Sequence, residues 1–310
     1  MSISSYPKVT IVVLNWNAFE DTYHCILSLK KITYKNFSII LVDNDSTDGS
    51  YEKLKNEFVD IEVLQSGRDG GYAYGTNFGA KVALKKDADY VVYLNNDTEV
   101  EPDFLDRIMD VFNNYENVGI VSSKILYMHD KKTLYCAGGK FRKFMCAGRN
   151  KFQGKDAADH ANEITEIDFA EGCCMSIKRE VFEKIGFMNE DYFMYFDDID
   201  YSVRAIKYFK LYYTPYSKLY HKTGAGLTWT DFTAFYYYYF TRNRINFYKN
   251  FYSWYWYVYV ILYSVSISIL KSIVILISSK DNRIKKKSKK IVAIWKGLID
   301  GIRGQKGITY

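Results

Sequence analysis

Polar residues that could bind a cation or a nucleotide stand at the ends of four apolar runs in the sequence. The runs end in four clusters: Asn15, Trp16 and Asn17; Asp43, Asn44 and Asp45; Ser66, Arg68 and Asp69; and Asn95, Asn96 and Asp97. Carboxylate oxygens suit hard cations, and amide groups both donate and accept hydrogen bonds. Each cluster alone could be a turn or a helix N-cap, where Asn and Asp are common. Four clusters at successive run ends favour one shared binding site.

The runs that precede these clusters have the pattern of strands covered on both faces. They span residues 9–14, 37–42, 61–64, 90–94 and 118–121, and amphipathic segments at 21–31, 72–86 and 102–115 lie between them. Strands that are apolar throughout, separated by helices, predict an α/β domain with a largely parallel sheet. Ligands bind beyond the carboxyl ends of such strands. The polar clusters are therefore expected to converge on one crevice.

Composition limits the classes of protein to consider. The chain has 310 residues, 48% of them hydrophobic, and only three prolines, which predicts one large folded domain with an appendage. The net charge of +6 is modest, and much of the excess falls within residues 280–290. This distribution indicates a local basic patch and argues against a nucleic-acid-binding protein.

The cysteines and the first residues predict a reducing environment. The five cysteines are odd in number and form no CxxC pair, which disfavours a disulfide framework or a zinc site. We expect reduced thiols, mostly in the core. The N-terminal sequence MSISSYPKVT lacks the pattern of a secretory signal, so the catalytic part is expected in the cytoplasm.

The common nucleotide-binding motifs are missing. Residues 69–79, DGGYAYGTNFG, are glycine-rich, but a dinucleotide fingerprint needs GxGxxG directly after the first strand. The first predicted strand is followed by a stretch without glycine, NWNAFEDT, and no GxxxxGK[ST] phosphate loop occurs. A nucleotide-dependent oxidoreductase is therefore disfavoured.

Six motifs occur in the order typical of one enzyme family. They are VTIVVLNWN, IILVDNDSTDGS, DGGYAYGTNFG, YLNNDTEVEPDFL, FAEGCCMSIKREVFEKIGFMNEDYFMYFDDIDYSVR and LYHKTGAG. Over residues 8–226 the chain resembles the family 2 glycosyltransferases, which are inverting enzymes of GT-A fold, and most of all their rhamnosyltransferase-like branch. The resemblance implies a catalytic domain at 6–230, with a nucleotide-sugar-binding half at about 6–125 and an acceptor-binding half at about 126–230. Residues 231–310 would form a helical, membrane-associated extension.

By this resemblance, Asp97 is the last carboxylate of a DxD-type motif that holds Mg²⁺ or Mn²⁺ on the donor diphosphate. The first acidic position of that motif is Asn95 here, so one strong anionic ligand remains. His221 matches a histidine that can complete the metal shell, although a lone histidine is more often an ordinary surface or core residue. A bound cation would act as a Lewis acid on the leaving group.

The resemblance also names a general base. Asp198 matches the second acid of the family's ED motif, which takes the proton of the acceptor hydroxyl, and Asp197 is assigned a supporting role. From spacing alone, Asp197, Asp200 and Arg204 share one helix face, which predicts an N-terminal charge cluster with an ordinary Asp200–Arg204 pair. Asp198 lies about 100° around the helix from Asp197, outside that pair.

The donor site is implied by further matches. Asn15, Trp16 and Asn44 match residues that contact the base and ribose, and Asp69 and Asn77 match residues nearer the nucleotide, as do Asn95 and Asn96 beside Asp97. Many relatives have Asp at the position of Asn44. Because an amide both donates and accepts, uracil and thymine are both compatible with this residue.

The last eighty residues predict contact with a membrane. An aromatic-rich stretch leads into the apolar segment 254–279, which only Lys271 interrupts, and the lysine-rich run 280–290 follows. A single crossing would separate the lysines from a cytoplasmic catalytic domain, so an interfacial or re-entrant helix pair on the cytoplasmic face is favoured. The alternative is a helical bundle with a solvated basic loop.

These observations lead to one main hypothesis and one alternative. The main hypothesis is a metal-dependent inverting glycosyltransferase that uses a UDP- or dTDP-sugar and a lipid-linked or other glycan acceptor in surface polysaccharide synthesis. Arg242 and Arg244 could bind the phosphates of that acceptor, since guanidinium presents a planar donor fork. The alternative is a non-catalytic GT-A scaffold in a membrane assembly, which the Asn at position 95 favours and the presence of Asp198 and His221 opposes.

Overall fold

The computed structural model describes residues 6–223, 230–278 and 284–310, which form two compact units. The first unit contains the described residues of Met1–Arg142, Gly148–Asn189 and Asp198–Thr223. The second contains Lys143–Ala147, Glu190–Asp197 and the described residues of Gly224–Tyr310. The second unit thus takes two short segments from within the predicted catalytic domain, whose boundary at 230 stays a prediction.

The first unit is built on a mixed β-sheet. Its strands are β1 (Val9–Asn15), β2 (Phe37–Asp43), β3 (Glu62–Gln65), β4 (Tyr90–Asn95), β5 (Thr98–Val100), β6 (Val118–Tyr127), β7 (Leu134–Cys136), β10 (Thr165–Glu166), β11 (Cys174–Lys178) and β12 (Lys210–His221). Strands β8 (Gly139–Arg142) and β9 (Ala147–Asn150) form a separate pair. The main order is β10-β12-β6-β11-β4-β1-β2-β3, with β5 on β12 and β7 on β6. All five predicted strands are confirmed.

The first unit also contains six helices among its described residues. They are α1 (Phe19–Leu29), α2 (Ser50–Glu57), α3 (Gly71–Lys85), α4 (Phe104–Asn114), α5 (Arg179–Ile185) and α6 (Asp197–Ile206), whose first residue is grouped with the second unit. Helices α1, α3 and α4 confirm the amphipathic segments read from the sequence. Helix α2 follows the Asn- and Asp-rich end of β2, so that cluster both ends a strand and leads into a helix.

Antiparallel pairings of β5, β7, β10 and β11 correct the prediction of a largely parallel sheet, and β11 is the one inserted among the central strands. Strands β1, β2, β3 and β4 are parallel, but β11 runs antiparallel to both β4 and β6 between them. The amino end of β11 therefore lies at the same sheet edge as the carboxyl ends of β1 and β4. The backbone N–H of Asn95 donates to Cys173 O at 3.0 Å across this edge. Residues that precede β11 consequently join the strand-end clusters.

The glycine-rich motif serves helix packing. A Cβ at Gly75 would lie 2.2 Å from Leu14 Cδ1, and one at Gly79 would lie 2.4 Å from Val12 Cγ1, so these glycines let α3 lie close against β1. Contacts this short cannot be made by a residue with a side chain without displacing the helix. This explains a glycine-rich stretch that is not a phosphate-binding loop.

The predicted thiol state agrees with the structure. All five cysteines, Cys25, Cys136, Cys146, Cys173 and Cys174, are free and buried. Burial raises the pKa of the Cys25 and Cys174 thiols to about 12, which keeps them protonated and unreactive.

The second unit is helical. It contains α7 (Ala234–Phe251), α8 (Trp254–Ile277) and α9 (Ile284–Arg303). Helices α7 and α9 lie close together at Gly297. A Cβ atom at this position would lie 2.4 Å from Tyr238 O, so only glycine fits there. By length and composition, α8 is the one helix of the described chain that could cross a membrane. Ser279 and residues 280–283, the start of the predicted lysine run, lie outside the described residues, as do Gly224, Ala225 and Gly226 of the histidine motif.

Candidate active site

Two residues of the predicted metal site lie in contact at the edge of the main sheet. Asp97 follows β4, and His221 ends β12, which pairs with β5 so that His221 stands opposite Thr98. His221 Nε2 is 3.1 Å from Asp97 Oδ1. Asp97 Oδ1 and His221 Nδ1 are both buried and have no hydrogen-bond partner in the described part of the chain. His221 Nε2 and Asp97 Oδ1 are therefore close together without forming a hydrogen bond, and both atoms could bind a cation.

This pair has the chemistry of an incomplete cation site. No group of three or more His, Cys, Asp or Glu side chains among the described residues is arranged to hold a metal. Mg²⁺ typically takes one or two protein carboxylates and fills its shell with waters and substrate phosphates. A carboxylate oxygen without a hydrogen bond beside an imidazole nitrogen fits that pattern, with the rest of the shell left to a diphosphate.

A further acidic residue, Glu171, lies near the pair and was not singled out from the sequence. The ring of Tyr135 packs edge-on against the ring of His221, with centroids 5.2 Å apart, and its hydroxyl is 3.3 Å from Glu171 Oε1. Burial and the charge of Asp198 raise the pKa of Glu171 to about 7. The sequence signal for Glu171 was a single carboxylate within the small and apolar stretch FAEGCC. Its position near His221 could not be predicted, because the antiparallel pairing of β11 brings it there.

Asp198 lies at the start of α6 with both carboxylate oxygens engaged. Oδ1 accepts from its neighbour Ile199 N at 2.8 Å, and Oδ2 accepts from Gly172 N at 3.2 Å. The Gly172 carbonyl in turn accepts a hydrogen bond from the Tyr72 hydroxyl. Burial raises the pKa of Asp198 to about 6, against the lowering effect of these backbone donors. The residue as a whole is half-buried.

The other acids of α6 have different surroundings. Arg204 Nε donates to Asp200 Oδ1 at 2.7 Å, which confirms the predicted pair, and its remaining nitrogens donate to the Ile185 and Phe187 carbonyls. Asp198 takes no part in this network. Asp197 is buried and belongs to the second unit, with its charge acting on Tyr195. Its supporting role stays a prediction.

Asn15 joins the ends of β1, β2 and α1. Its amide nitrogen donates to Asp43 Oδ2 at 2.7 Å and to Ser50 Oγ at 2.9 Å, and its oxygen accepts from Thr22 Oγ1 at 2.7 Å. The side chain is fully buried. Asn96 donates to the same Thr22 hydroxyl at 2.8 Å. Both residues therefore shape the strand-end loops, and their direct contact with a nucleotide stays a prediction.

Asn44, a predicted base or ribose contact, bonds to residues of the next polar cluster. Its nitrogen donates to Asp69 Oδ1 at 3.1 Å and its oxygen accepts from Ser66 Oγ at 3.0 Å. This links the ends of β2 and β3, as the convergence of clusters requires. Trp16, at the end of β1, is 54% exposed, so its indole face is open to a planar ligand.

Asn77 and Arg242 make structural contacts. The Asn77 amide exchanges two hydrogen bonds with the backbone of Met188, at 2.9 and 3.0 Å, which attaches α3 to the loop after α5. Arg242, on α7, is fully buried and donates to Asn243 Oδ1, Thr309 Oγ1 and the carbonyls of Gly307, Asp191 and Tyr192. A donor contact by Asn77 and a phosphate contact by Arg242 stay predictions.

The strand-end acids, the histidine and the six ordered motifs agree with a comparison against family sequence models. The model described as "Glycosyl transferase family 2" matches residues 10–186, more than half of the chain. The chain belongs to glycosyl transferase family 2. The sequence-based family assignment is thereby confirmed.

Curated relatives of this family-2 chain include glycan-building transferases. The "Low-salt glycan biosynthesis hexosyltransferase Agl10" of Haloferax volcanii is 26% identical over 64% of this chain and 61% of its own length. The "N-acetylglucosaminyl-diphospho-decaprenol L-rhamnosyltransferase" of Mycobacterium tuberculosis is 24% identical over 68% of this chain and 75% of its own. The "dTDP-rhamnosyl transferase RfbF" of Shigella flexneri is 23% identical over 70% of each.

Solved structures support the fold assignment. A mannosyltransferase from Pyrobaculum calidifontis, determined with GDP-Man and Mn²⁺, aligns with a TM-score of 0.55 and 12% identity over 96% of this chain and 88% of that one. Residues 1–349 of TarS from S. aureus align with a TM-score of 0.51 and 11% identity over 94% of this chain and 72% of that one. At these identities the likeness concerns the fold alone, and it confirms the GT-A-like architecture.

Proposed function

We propose that this family-2 chain is an inverting glycosyltransferase that moves a sugar from a UDP- or dTDP-sugar to a lipid-linked glycan acceptor. The observation that carries the proposal is the convergence of Asp97, His221, Glu171 and Asp198 at the sheet edge where the parallel strands end. Inverting transfer requires a stabilised leaving diphosphate and a base for the acceptor hydroxyl. The described residues offer a candidate for each.

Asp97 and His221 would hold a divalent cation against the donor diphosphate. When bound, Mg²⁺ or Mn²⁺ neutralises charge that develops on the leaving group. The protein's part is to keep Asp97 Oδ1 and His221 Nε2 adjacent, which the β5–β12 pairing and the packing of Tyr135 on the imidazole support. Because no third metal-binding side chain joins them in the described chain, the affinity for cation should depend on the nucleotide diphosphate.

Asp198 would take the proton from the acceptor hydroxyl. Its pKa, raised by burial to about 6, lies close enough to neutral pH for a base that is ionised yet proton-accepting. The two backbone N–H groups that bind its oxygens fix the carboxylate at the start of α6. An inverting enzyme needs one such base on the face opposite the leaving group, and no covalent intermediate.

The nucleotide would bind along the ends of β1, β2 and β3. The exposed Trp16 would contact the base or ribose, while Asn15, Asn44 and Asp69 hold the loops around it. The name of the Shigella flexneri relative includes a dTDP-rhamnosyl donor, which favours a deoxysugar nucleotide within the UDP or dTDP class.

The lipid-linked acceptor is supported by the second unit. The name of the Mycobacterium tuberculosis relative includes a diphospho-decaprenol acceptor. In the present chain, α8 exposes large apolar side chains along its length, and the described lysines 285, 286, 287, 289 and 290 follow it on α9. Apolar burial together with lysines near anionic headgroups favours the cytoplasmic face of a membrane.

Donor binding is tested by thermal unfolding of the full chain in detergent. UDP-, dTDP- and GDP-sugars are compared with and without Mn²⁺, since a ligand of the folded state alone raises Tm. We expect a Mn²⁺-dependent rise with UDP- or dTDP-sugars that Asp97→Ala removes. Protection equal with and without cation would contradict the metal assignment. Binding of donor without any turnover on lipid-linked acceptors would favour the scaffold alternative.

Membrane association is tested by sedimentation with phosphatidylglycerol vesicles. Deleting the whole C-terminal region is a poor test, because Arg242 and Asn243 on α7 hold the carbonyls of the 190–197 segment. We instead propose Leu262→Gln with Leu276→Gln, which changes the exposed face of α8. These variants should bind vesicles weakly at any salt, whereas Lys285→Gln with Lys289→Gln should lose only the salt-sensitive part. Full binding by both would contradict the proposal.

A further inference from the structure

Helix α8 buries two of its serines and its lysine within the second unit. Its buried residues are Val260, Ser264, Ser268, Lys271 and Ile275, whereas Leu262, Leu276 and Ile277 are exposed. Spacings of three and four residues place the buried set on one stripe of the helix. An ordinary helix of a water-soluble bundle would have the opposite arrangement.

The stripe carries a buried lysine, Lys271, whose pKa is lowered by burial to about 7, and a buried arginine lies on α7. Lys271 is 9% exposed and its ammonium lies 5.3 Å from the centre of the Tyr237 ring. Arg244 is 4% exposed, with its guanidinium 5.0 Å from the Phe240 ring and 5.5 Å from the Tyr263 ring of α8. The two positive charges are near enough to act on each other.

Neither cation has a counter-ion within the described chain. Arg244 makes one hydrogen bond there, from Nε to Cys146 O at 3.1 Å, and the groups that act on its charge are tyrosines and Cys146. Lys271 has the ring of Tyr237 and the repulsion of Arg244. Aromatic faces offset part of the cost of burying a cation but do not accept its hydrogen bonds as an anion does.

A nearby arginine shows what a purely structural role requires. Arg242, two residues before Arg244, is equally buried, yet its guanidinium donates to five carbonyl or side-chain oxygens. The α8 stripe adds a further open donor, because Ser264 Oγ is buried without a hydrogen-bond partner in the described chain. Two cations and a free hydroxyl are complementary to an anion with several oxygens.

We propose that Arg244 and Lys271 form a binding site for the phosphate oxygens of a diphosphate, and that a lipid carries this diphosphate. The lipid source is favoured because the same helix that supplies Lys271 exposes its apolar residues outward. Arg244 supplies the planar donor fork and Lys271 a compact charge, so a diphosphate satisfies both without a metal ion. The inference rests on the proposed function to the extent that this lipid is the acceptor.

The test measures binding of farnesyl diphosphate to the full chain in detergent micelles with EDTA present. Chelation keeps the Asp97–His221 site from binding a diphosphate through a cation. Inorganic pyrophosphate and farnesol are the comparison ligands, which separate a free phosphate from a lipid-borne one. We expect farnesyl diphosphate to bind more tightly than pyrophosphate, and farnesol to bind weakly.

The variant Lys271→Met retains much of the side-chain length and removes the charge. It should weaken farnesyl diphosphate binding by about tenfold or more, as for loss of a charge-assisted hydrogen bond. It should also raise the Tm of the ligand-free protein, because an uncompensated buried charge is removed. Lys271→Arg should keep most of the affinity. Lys249→Met, at an exposed site on α7, is the matched control and should change neither quantity.

Three results would overturn the inference. They are unchanged farnesyl diphosphate affinity in Lys271→Met, equal loss in Lys249→Met, or a lower Tm of ligand-free Lys271→Met with normal affinity. Tight binding of pyrophosphate that Lys271→Met weakens would support the anion site and assign it to free phosphate. Nucleotide-sugar protection with Mn²⁺ is measured on the same samples. If it persists while farnesyl diphosphate fails to bind, only this inference is wrong and the proposed function stands.

Discussion

Replacing the proposed base Asp198 by Asn should stabilise the folded protein while inactivating it. Burial raises the pKa of Asp198 from its ordinary value of 3.8 to about 6. Each tenfold change in an ionisation constant corresponds to about 1.4 kcal/mol, so keeping this carboxylate charged at pH 8 costs the folded state about 3 kcal/mol. Asn removes that cost, but it cannot accept from both Gly172 N and Ile199 N. The lost hydrogen bond destabilises the variant by about 1 kcal/mol, which leaves a net stabilisation of about 2 kcal/mol.

The sign of the pH dependence follows from the raised pKa. The wild-type protein loses stability as the carboxyl ionises between about pH 4 and pH 6, and the full loss is present at pH 8. The advantage of Asp198→Asn should therefore be largest at pH 8, shrink below pH 6 and disappear near pH 4. Urea unfolding at several pH values measures it. Turnover should fall by about 10²- to 10⁴-fold, because the amide cannot take the acceptor proton.

The neighbouring acid Asp200 provides a matched control of opposite sign. Its carboxylate accepts from Arg204 Nε at 2.7 Å, so Asp200→Asn leaves a partly buried guanidinium without its counter-ion. It should destabilise the protein by about 1–3 kcal/mol at pH 8. If Asp198→Asn is destabilising at pH 8, or keeps wild-type turnover, the account of Asp198 as a buried base is refuted. Greater loss of turnover in Asp197→Asn than in Asp198→Asn would move the role of base to Asp197.

Three further predictions concern other parts of the first unit. Asp97→Ala should abolish cation-dependent turnover with little change in Tm, because its Oδ1 has no hydrogen bond to lose in the described chain; activity that survives excess chelator would contradict this. Glu171→Gln should move the acidic limb of the kcat/KM profile to lower pH, because removing its negative charge makes Asp198 easier to ionise in the same buried site. An unchanged profile would show that Glu171 does not affect the ionisation of Asp198. Gly79→Ala should lower the free energy of unfolding by about 1–3 kcal/mol, since the new methyl group would lie 2.4 Å from Val12 Cγ1. Gly154→Ala is the control: no atom lies within 4 Å of the added Cβ, so it should cost only the strain of the positive φ.

The sequence by itself determined five strands of the main sheet, several of the helices and the family. Continuous apolar runs at residues 9–14, 37–42 and 90–94 are local signals, and each became a strand within a residue of its predicted end. The Asp200–Arg204 pair was equally predictable, because helical spacing alone brings the two side chains together. The types of residue at the strand ends indicated ligand chemistry before any fold was known.

Only the tertiary structure decided which of these residues meet. The antiparallel insertion of β11 brings Glu171 to the sheet edge, and the β5–β12 pairing places His221 against Asp97. Strand order and register join residues far apart in the chain, and no local periodicity encodes them. The contacts of Asn15 and Asn77, whose amides hold neighbouring elements together, were likewise not predictable from local sequence. In the sequence, Lys271 is only an interruption in an apolar helix. Its burial against α7 makes it a candidate ligand for an anion.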